Sequence, residues 1–250
     1  MKKIVRVSVI TPTFNSNATI ERCVSSIKAQ TYPDIEHIVI DGGSNDGTVE
    51  LLHDLGVRYI SEEDAGIYHA MNKGVRLASG EIIHILNSDD WYTDSNVISM
   101  MVEVMESGGY DLCHAQIAQV NMLGYKVCIN GASVEKAQLL RKMKVAHPSC
   151  FVRTSVYRRY GDFSQGFRVA GDYDFILRIW DKINIAFVPK QIVQMQINGI
   201  SSNNPIRSYK ESMAVTLVHG KGVIPALFIF CYECIKHYVV MFFRNKQYQS

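Results

Sequence analysis

Short β-branched runs alternate with helical-period segments from residue 4 to about 120, and this pattern restricts the fold more than any other feature. IVRVSVI (4–10) reads as a strand, after which Ile20, Cys23, Val24 and Ile27 share one helical face. TYPD breaks that helix. IEHIVI (35–40) is a second strand, DGGSNDGT is the turn after it, and Val49, Leu51, Leu52 and Leu55 mark a short helix. VRYISE (57–62) is a third strand. Ile67, Ala70, Met71, Val75 and Ala78 mark a helix closed by Gly80, and EIIHIL (81–86) is a fourth strand. Val97, Ile98, Met101, Val102 and Met105 mark a further helix. Parallel strands need crossover connections, so the alternation predicts an α/β fold with a mostly parallel sheet flanked by helices.

After residue 110 the pattern changes. YDLCHAQIAQV and YKVCI flank NMLG and read as a hairpin; VAGDYDFILRIWDKI (169–183) reads as a helix with charges near its start; IAFVPKQIVQMQI is strand-like again. Residues 1–204 form one expected domain, divided at 110 into two halves, and 205–250 a helical extension. The chain has 250 residues, 47% of them hydrophobic, which is enough for a sizeable core. Its formal net charge of +2, without basic clusters interleaved with aromatics, argues against nucleic acid as a partner. Of six cysteines only Cys231 and Cys234 are close, and no second pair completes a zinc site; buried free thiols in a reducing compartment are expected. The N-terminus reads as a first strand rather than a leader, so a cytoplasmic location is expected.

Ligands of open α/β sheets bind beyond the carboxyl ends of the strands. Those ends carry TPTFN (11–15), Asp41 with GGS, then Glu62, Glu63 and Asp64, then Asp89 and Asp90. For Asp46 and Thr48 helix capping suffices. No G-x-G-x-x-G follows the first strand and no P-loop occurs. DGGSNDGT fails as a calcium loop, with Asp46 where Gly is needed and Leu52 where Glu is needed. Adjacent carboxylates at a strand tip make sense if a hard divalent cation joins them to a pyrophosphate. The alternative is a loop that caps the next helix at Asp94 and Ser95.

VSVITPTFN, HIVIDGGSNDGT, SEEDAGIYHAMNKGVRLASGEIIHILNSDD and GDYDFILRIW together resemble a family 2 glycosyltransferase of the GT-A fold, over roughly residues 4–200. The bacterial enzymes that build O-antigen, capsule or exopolysaccharide are the most similar in flavour. The resemblance implies an inverting, metal-dependent transfer from a nucleotide-diphospho-sugar, with a UDP-sugar expected. It implies Pro12 and Thr13 at the nucleobase, Asp41 at base or ribose, and Asn72 and Lys73 facing the nucleotide. Asp89 would contact ribose or sugar, and Asp90 would ligate Mn²⁺ or Mg²⁺. Asp172 would be the catalytic base that takes the acceptor's proton. Three departures stand out: Gly42 and Gly171 occupy places where many relatives carry an acid, and His69 stands where an acid is common.

Asp174 competes with Asp172, but an ion pair with Arg178 at i+4 is its expected role. His147 is open between a structural and a substrate-facing role, and Trp91 is expected to anchor the core rather than stack on a sugar. Q-x-x-R-W is absent, so one sugar per acceptor is expected rather than polymer extrusion. VIPALFIFCYECIKHYVVMFF (223–243) is apolar, with Glu233, Lys236 and His237 on one stripe. That pattern predicts an amphipathic helix at the inner face of the membrane, or else packing on the domain or at a homo-oligomer interface. A membrane contact would suit a lipid-linked acceptor, with the resemblance pointing to an undecaprenyl-diphosphate saccharide. Two other readings stay open: a catalytically inactive nucleotide-sugar-binding or scaffolding subunit, and, more weakly, a nucleotidyltransferase.

Overall fold

β1 (Val7–Thr13) is buried along its whole length, as an unbroken β-branched run in the middle of a covered sheet must be. The structure is a computed structural model that describes residues 4–121, 125–197 and 204–247, with side chains as far as residue 239. The expected hairpin turn at NMLG and the first three residues therefore fall largely outside the described residues. α1 (Ile20–Lys28) leads to β2 (Ile35–Asp41), α2 (Thr48–Asp54) to β3 (Tyr59–Ser61), and α3 (Ile67–Leu77) to β4 (Ile82–Ile85). These four strands pair in parallel, in the order β3, β2, β1, β4.

From there the expectation of a mostly parallel sheet gives way to a mixed one. β5 (Asp90–Tyr92) precedes α4 (Val97–Gly108), β6 (Leu112–Val120) and β7 (Lys126–Asn130). After the short α5 (Lys136–Leu139) come β8 (Phe151–Arg153), α6 (Thr154–Tyr160), α7 (Gly171–Ile179) and β9 (Ile185–Gln196). β8 runs antiparallel between β4 and β6, β6 and β7 form the expected hairpin, and β9 lies parallel to β6. β5 adds antiparallel to β9 at the far edge. One sheet thus runs unbroken through both halves of the domain. Two apolar layers cover it: α1 and α4 pack on one face, α3, α6 and α7 on the other.

The extension is helical, as expected. Asn204 caps α8 (Pro205–Val218) by accepting from the Arg207 amide at 3.1 Å, and α9 (Val223–Gln247) follows. α8 packs on α7, and α9 packs on α8. Among the described residues no helix is long and apolar enough to cross a membrane.

Candidate active site

Register carries Thr13, Asp41 and Ser61 to adjacent positions on the carboxyl edge of the parallel strands. Pro12 and Thr13 are buried in β1. Asp41 is fully buried, and its carboxylate accepts from the amides of Gly43 (3.1 Å) and Ser44 (3.0 Å) and from the hydroxyls of Ser44 and Ser61. A carboxylate with four protein donors organises its own turn. The group that lies open to this corner is Asp64: a Cβ on Gly42 would stand 2.7 Å from its Oδ2. Its other oxygen accepts from the Gly66 amide at 2.7 Å, just ahead of α3. Asp46 does cap, accepting from the amide and hydroxyl of Thr48.

The NSDD segment folds back over the loop after β1. Ser88 and Ser16 hydroxyls bond at 2.8 Å, and the Asn87 carbonyl lies 3.4 Å from Cys23 Sγ. Asp90 is not in a loop but opens β5, and it is completely buried. Its Oδ2 accepts from the Asn87 amide at 3.0 Å, while Oδ1 has no partner. Burial, then the charge of Asp89, pushes the Asp90 carboxyl well above the usual range, and burial raises Asp89 as well. A buried, partnerless carboxylate oxygen beside a second carboxylate is costly unless a cation completes it. The residues therefore fit a divalent ion that Asp90 holds and that other ligands complete. Among the described residues no group of three or more His, Cys, Asp or Glu could hold a metal without help. The capping alternative does not account for the pair: of the amides ahead of α4, Asp94 bonds only that of Asn96 (2.9 Å), and the first-turn amide of Ile98 donates to the Gln30 side chain at 3.1 Å.

Two expectations near the pair change. Trp91 is half-buried rather than a core anchor, and the Arg22 guanidinium covers one face of its indole at 3.4 Å from the ring centroid. Arg22 also lends positive potential to both carboxylates. Asn72 does not offer its amide to a nucleotide: the two ends pair with the Phe163 carbonyl (2.8 Å) and amide (2.9 Å), clamping α3 to the loop before α7. Lys73 is ion-paired with Glu62 at the end of β3, and His69, one turn earlier, adds to the positive field on that glutamate.

Asp172 sits in the first turn of α7, half-buried. Its Oδ1 accepts from the Tyr173 amide (2.8 Å) and lies 3.1 Å from the Tyr68 hydroxyl, which also bonds the Val169 carbonyl at 2.8 Å. Gly171 makes this possible: a Cβ there would come within 2.8 Å of the Tyr68 ring. Asp174, by contrast, is committed, to Arg178 at 2.8 Å as expected and to His219, just after α8, at 2.9 Å. His147 is buried with its ring edge on Phe163. Burial lowers its pKa, and the field of Asp172 opposes that shift. Sequence reasoning missed Glu211 of α8, whose Oε2 accepts from the amides of Arg168 (3.0 Å), Val169 (2.8 Å) and Ala170 (3.1 Å), immediately ahead of Asp172. No local pattern signals a bond across more than forty residues.

Residues 8–161 match the family model described as glycosyl transferase family 2. An uncharacterized glycosyltransferase of Mycobacterium tuberculosis is 34% identical over 183 residues, covering 69% of this chain and 68% of that protein. A PGL/p-HBAD biosynthesis glycosyltransferase of Mycobacterium bovis is 30% identical over 178 residues, 68% of each chain. Among solved structures, Staphylococcus aureus TarS 1–349 in complex with UDP-GlcNAc superposes with a TM-score of 0.70 at 18% identity, over 94% of this chain and 73% of that one. A longer TarS chain is spanned only to 43%. The mannosyltransferase PcManGT of Pyrobaculum calidifontis, in complex with GDP-Man and Mn²⁺, gives 0.65 at 19% identity, over 93% and 70%. These structures share the GT-A architecture of mixed sheet and flanking helices. By sequence and by fold the chain belongs to glycosyltransferase family 2.

Proposed function

We propose that the chain transfers one sugar, with inversion, from a UDP-sugar to a saccharide or lipid-linked acceptor of a bacterial surface polysaccharide. The observation that carries this reading is the buried Asp90 oxygen without a partner, at the edge where such sheets bind ligands. UDP-GlcNAc and GDP-Man in the solved relatives support a nucleoside-diphospho-sugar as the donor class, and Mn²⁺ in one of them supports a metal. Mn²⁺ or Mg²⁺ held by Asp90 would supply neutralisation of the departing nucleoside diphosphate.

The remaining work belongs to side chains. Pro12, Thr13 and Asp64 line the corner that takes the nucleoside, and the turn held by Asp41 shapes it. Asp89, next to Asp90 in the chain, would contact ribose or sugar. Asp172 Oδ1 is held by Tyr173 and Tyr68, which leaves Oδ2 to accept the acceptor hydroxyl's proton as that oxygen attacks the anomeric carbon. The carbon–oxygen bond to the nucleotide breaks on the opposite face, so configuration inverts. Asp174 cannot compete while Arg178 and His219 occupy it.

The extension suits a membrane surface. Ile224, Leu227, Phe228 and Ile235 of α9 are exposed, whereas Glu233 and His237 face the protein. A helix with its apolar side outward needs a lipid surface or a partner to cover it. The test of the donor reading is calorimetric titration with UDP and GDP, each with and without Mn²⁺. Metal-dependent binding of UDP supports it. Absence of binding in a folded sample refutes it and favours the scaffolding reading.

A further inference from the structure

A cavity of about 460 Å³ lies between the catalytic domain and the extension, walled by the segment 140–143, by Tyr173 of α7 and by α8 and α9. Arg141, Lys142, Lys221 and Lys236 line it, against a single acid, Glu233. None of the four cations makes an ion pair among the described residues, although surface Lys and Arg elsewhere in the chain do. Lys221 Nζ donates to the Leu140 carbonyl at 2.5 Å, which fixes one ammonium on the wall. Burial and the neighbouring charge of Arg141 both lower the Lys221 pKa, so these two cations lie close to one another. Met143, Met213, Ile229 and Phe230 give the lining an apolar part, beside the hydroxyls of Ser208, Ser212 and Thr216. A basic, partly apolar chamber is complementary to a phosphate that carries a hydrocarbon chain.

Its position narrows the occupant. α9 separates the cavity from the exposed apolar stripe of Leu227, Phe228 and Ile235, so the chamber lies directly behind the surface that would meet lipid. Tyr173 ties its wall to α5 through a bond to the Leu139 carbonyl, and Tyr173 directly follows Asp172. α8 lends Ser208 and Ser212 to the lining and, through Glu211, grips the amides that precede α7. The chamber is thus built onto the helix that carries the base. Resting on the glycosyltransferase reading, we propose that this cavity binds the phosphate or diphosphate of a long-chain lipid ester, the carrier of the acceptor sugar. Its chain follows α9 towards the bilayer, and its phosphate sits among Arg141, Lys142, Lys221 and Lys236.

The probe is farnesyl diphosphate, soluble and singly chained, titrated calorimetrically into the full chain already saturated with UDP and Mn²⁺. Binding is expected to persist under UDP, with farnesol and inorganic diphosphate each much weaker. Arg141→Ala and Lys221→Ala each weaken it about tenfold, the cost of one charge-assisted bond. Arg141→Lys and Lys221→Arg, which keep the charge, restore most of it and exclude a folding defect. The proposal is overturned if UDP displaces the probe, if the alanine variants bind it unchanged, or if farnesol binds equally well. Complete displacement by phosphatidylglycerol vesicles would assign the cavity to bulk lipid and also overturn it. UDP binding in the same sample tests the donor site separately, so loss of one result does not imply loss of the other.

Discussion

Glu211→Ala separates the extension's structural contribution from its effect on chemistry. One carboxylate oxygen takes three consecutive amides, those of Arg168, Val169 and Ala170, at 2.8–3.1 Å. They precede the first turn of α7, where backbone N–H groups lack helical acceptors and negative charge is favourable. Water can replace the carboxylate at the exposed Arg168, only partly at the half-buried Val169, and not at the buried Ala170. A bond to a charged acceptor contributes about 1.5–3 kcal/mol. One bond fully lost and one half lost therefore give a destabilisation of about 2–4 kcal/mol. For a chain of this size that lowers Tm by roughly 4–16 °C. Glu211→Gln keeps an acceptor without the charge and should lose about half as much.

The same loop sets the position of Asp172, and misplacement by about 1 Å can cost roughly a hundredfold in rate. The assay pairs thermal melting with steady-state transfer, using the donor that nucleotide titration identifies. Glu211→Ala should lower kcat by about ten- to a hundredfold, with the donor KM and UDP affinity unchanged, because the proposed nucleotide corner is built on β1 to β4. A variant with lowered Tm but normal kcat below its melting point would refute the positioning role. Loss of UDP binding would show instead that the damage is global.

Asp90→Ala, or removal of divalent ions with EDTA, should abolish the metal-dependent part of UDP binding; calorimetry that finds it intact would place the ion elsewhere. Asp172→Asn should keep UDP binding and lower transfer by about 10²–10⁴-fold, measured as kcat on the same donor. Gly42→Asp should weaken UDP binding and stability together, since its new Cβ would stand 2.7 Å from an Asp64 oxygen and add a second carboxylate to one corner. Acid should unfold the protein early: burial lowers His37 and His114 to about 4 and His84 to about 3. These groups stay neutral in the fold but gain protons when unfolded, so their contribution is complete above about pH 6.5 and falls as pH drops towards 4. Each loses about 1.4 kcal/mol per pH unit there, and urea titrations at pH 7, 6 and 5 measure the combined slope; a flat profile would refute the buried neutral state.

The elements with long periodic signals were legible in the sequence: the four parallel strands, their helices, the β6–β7 hairpin and the Asp174–Arg178 pair. β5 was not, because three residues carry no periodicity, and its partner β9 lies about a hundred residues away. For that reason Asp90 reads as a loop residue in sequence but opens a buried strand in the fold. The polar stripe of Glu233, Lys236 and His237 was visible too. Sequence alone gives no direction to a stripe, and here it turns inward to a cavity while the apolar side faces out. Asn72 escaped for a third reason: a short polar side chain inside a motif looks the same whether it meets a ligand or a backbone ninety residues away.

The two glycines that stand in place of acids also change meaning once neighbours are visible. A motif counts letters along the chain, whereas a site counts groups in space. At Gly42 the absent side chain leaves room for Asp64, delivered from the loop after β3, so a carboxylate still stands at the corner. At Gly171 the absent side chain lets the Tyr68 ring lie against the backbone and bring its hydroxyl to Asp172. An acid at 171 would repel Asp172 and displace that ring. The hydroxyl instead bonds Asp172 without adding charge. Both departures therefore exchange a local acid for a group brought from another element, and neither removes chemistry from the edge of the sheet. This weighs against an inactive descendant more than the survival of Asp89, Asp90 and Asp172 alone: a chain released from catalysis has no physical reason to refill both places with groups suited to a nucleoside corner and a poised base.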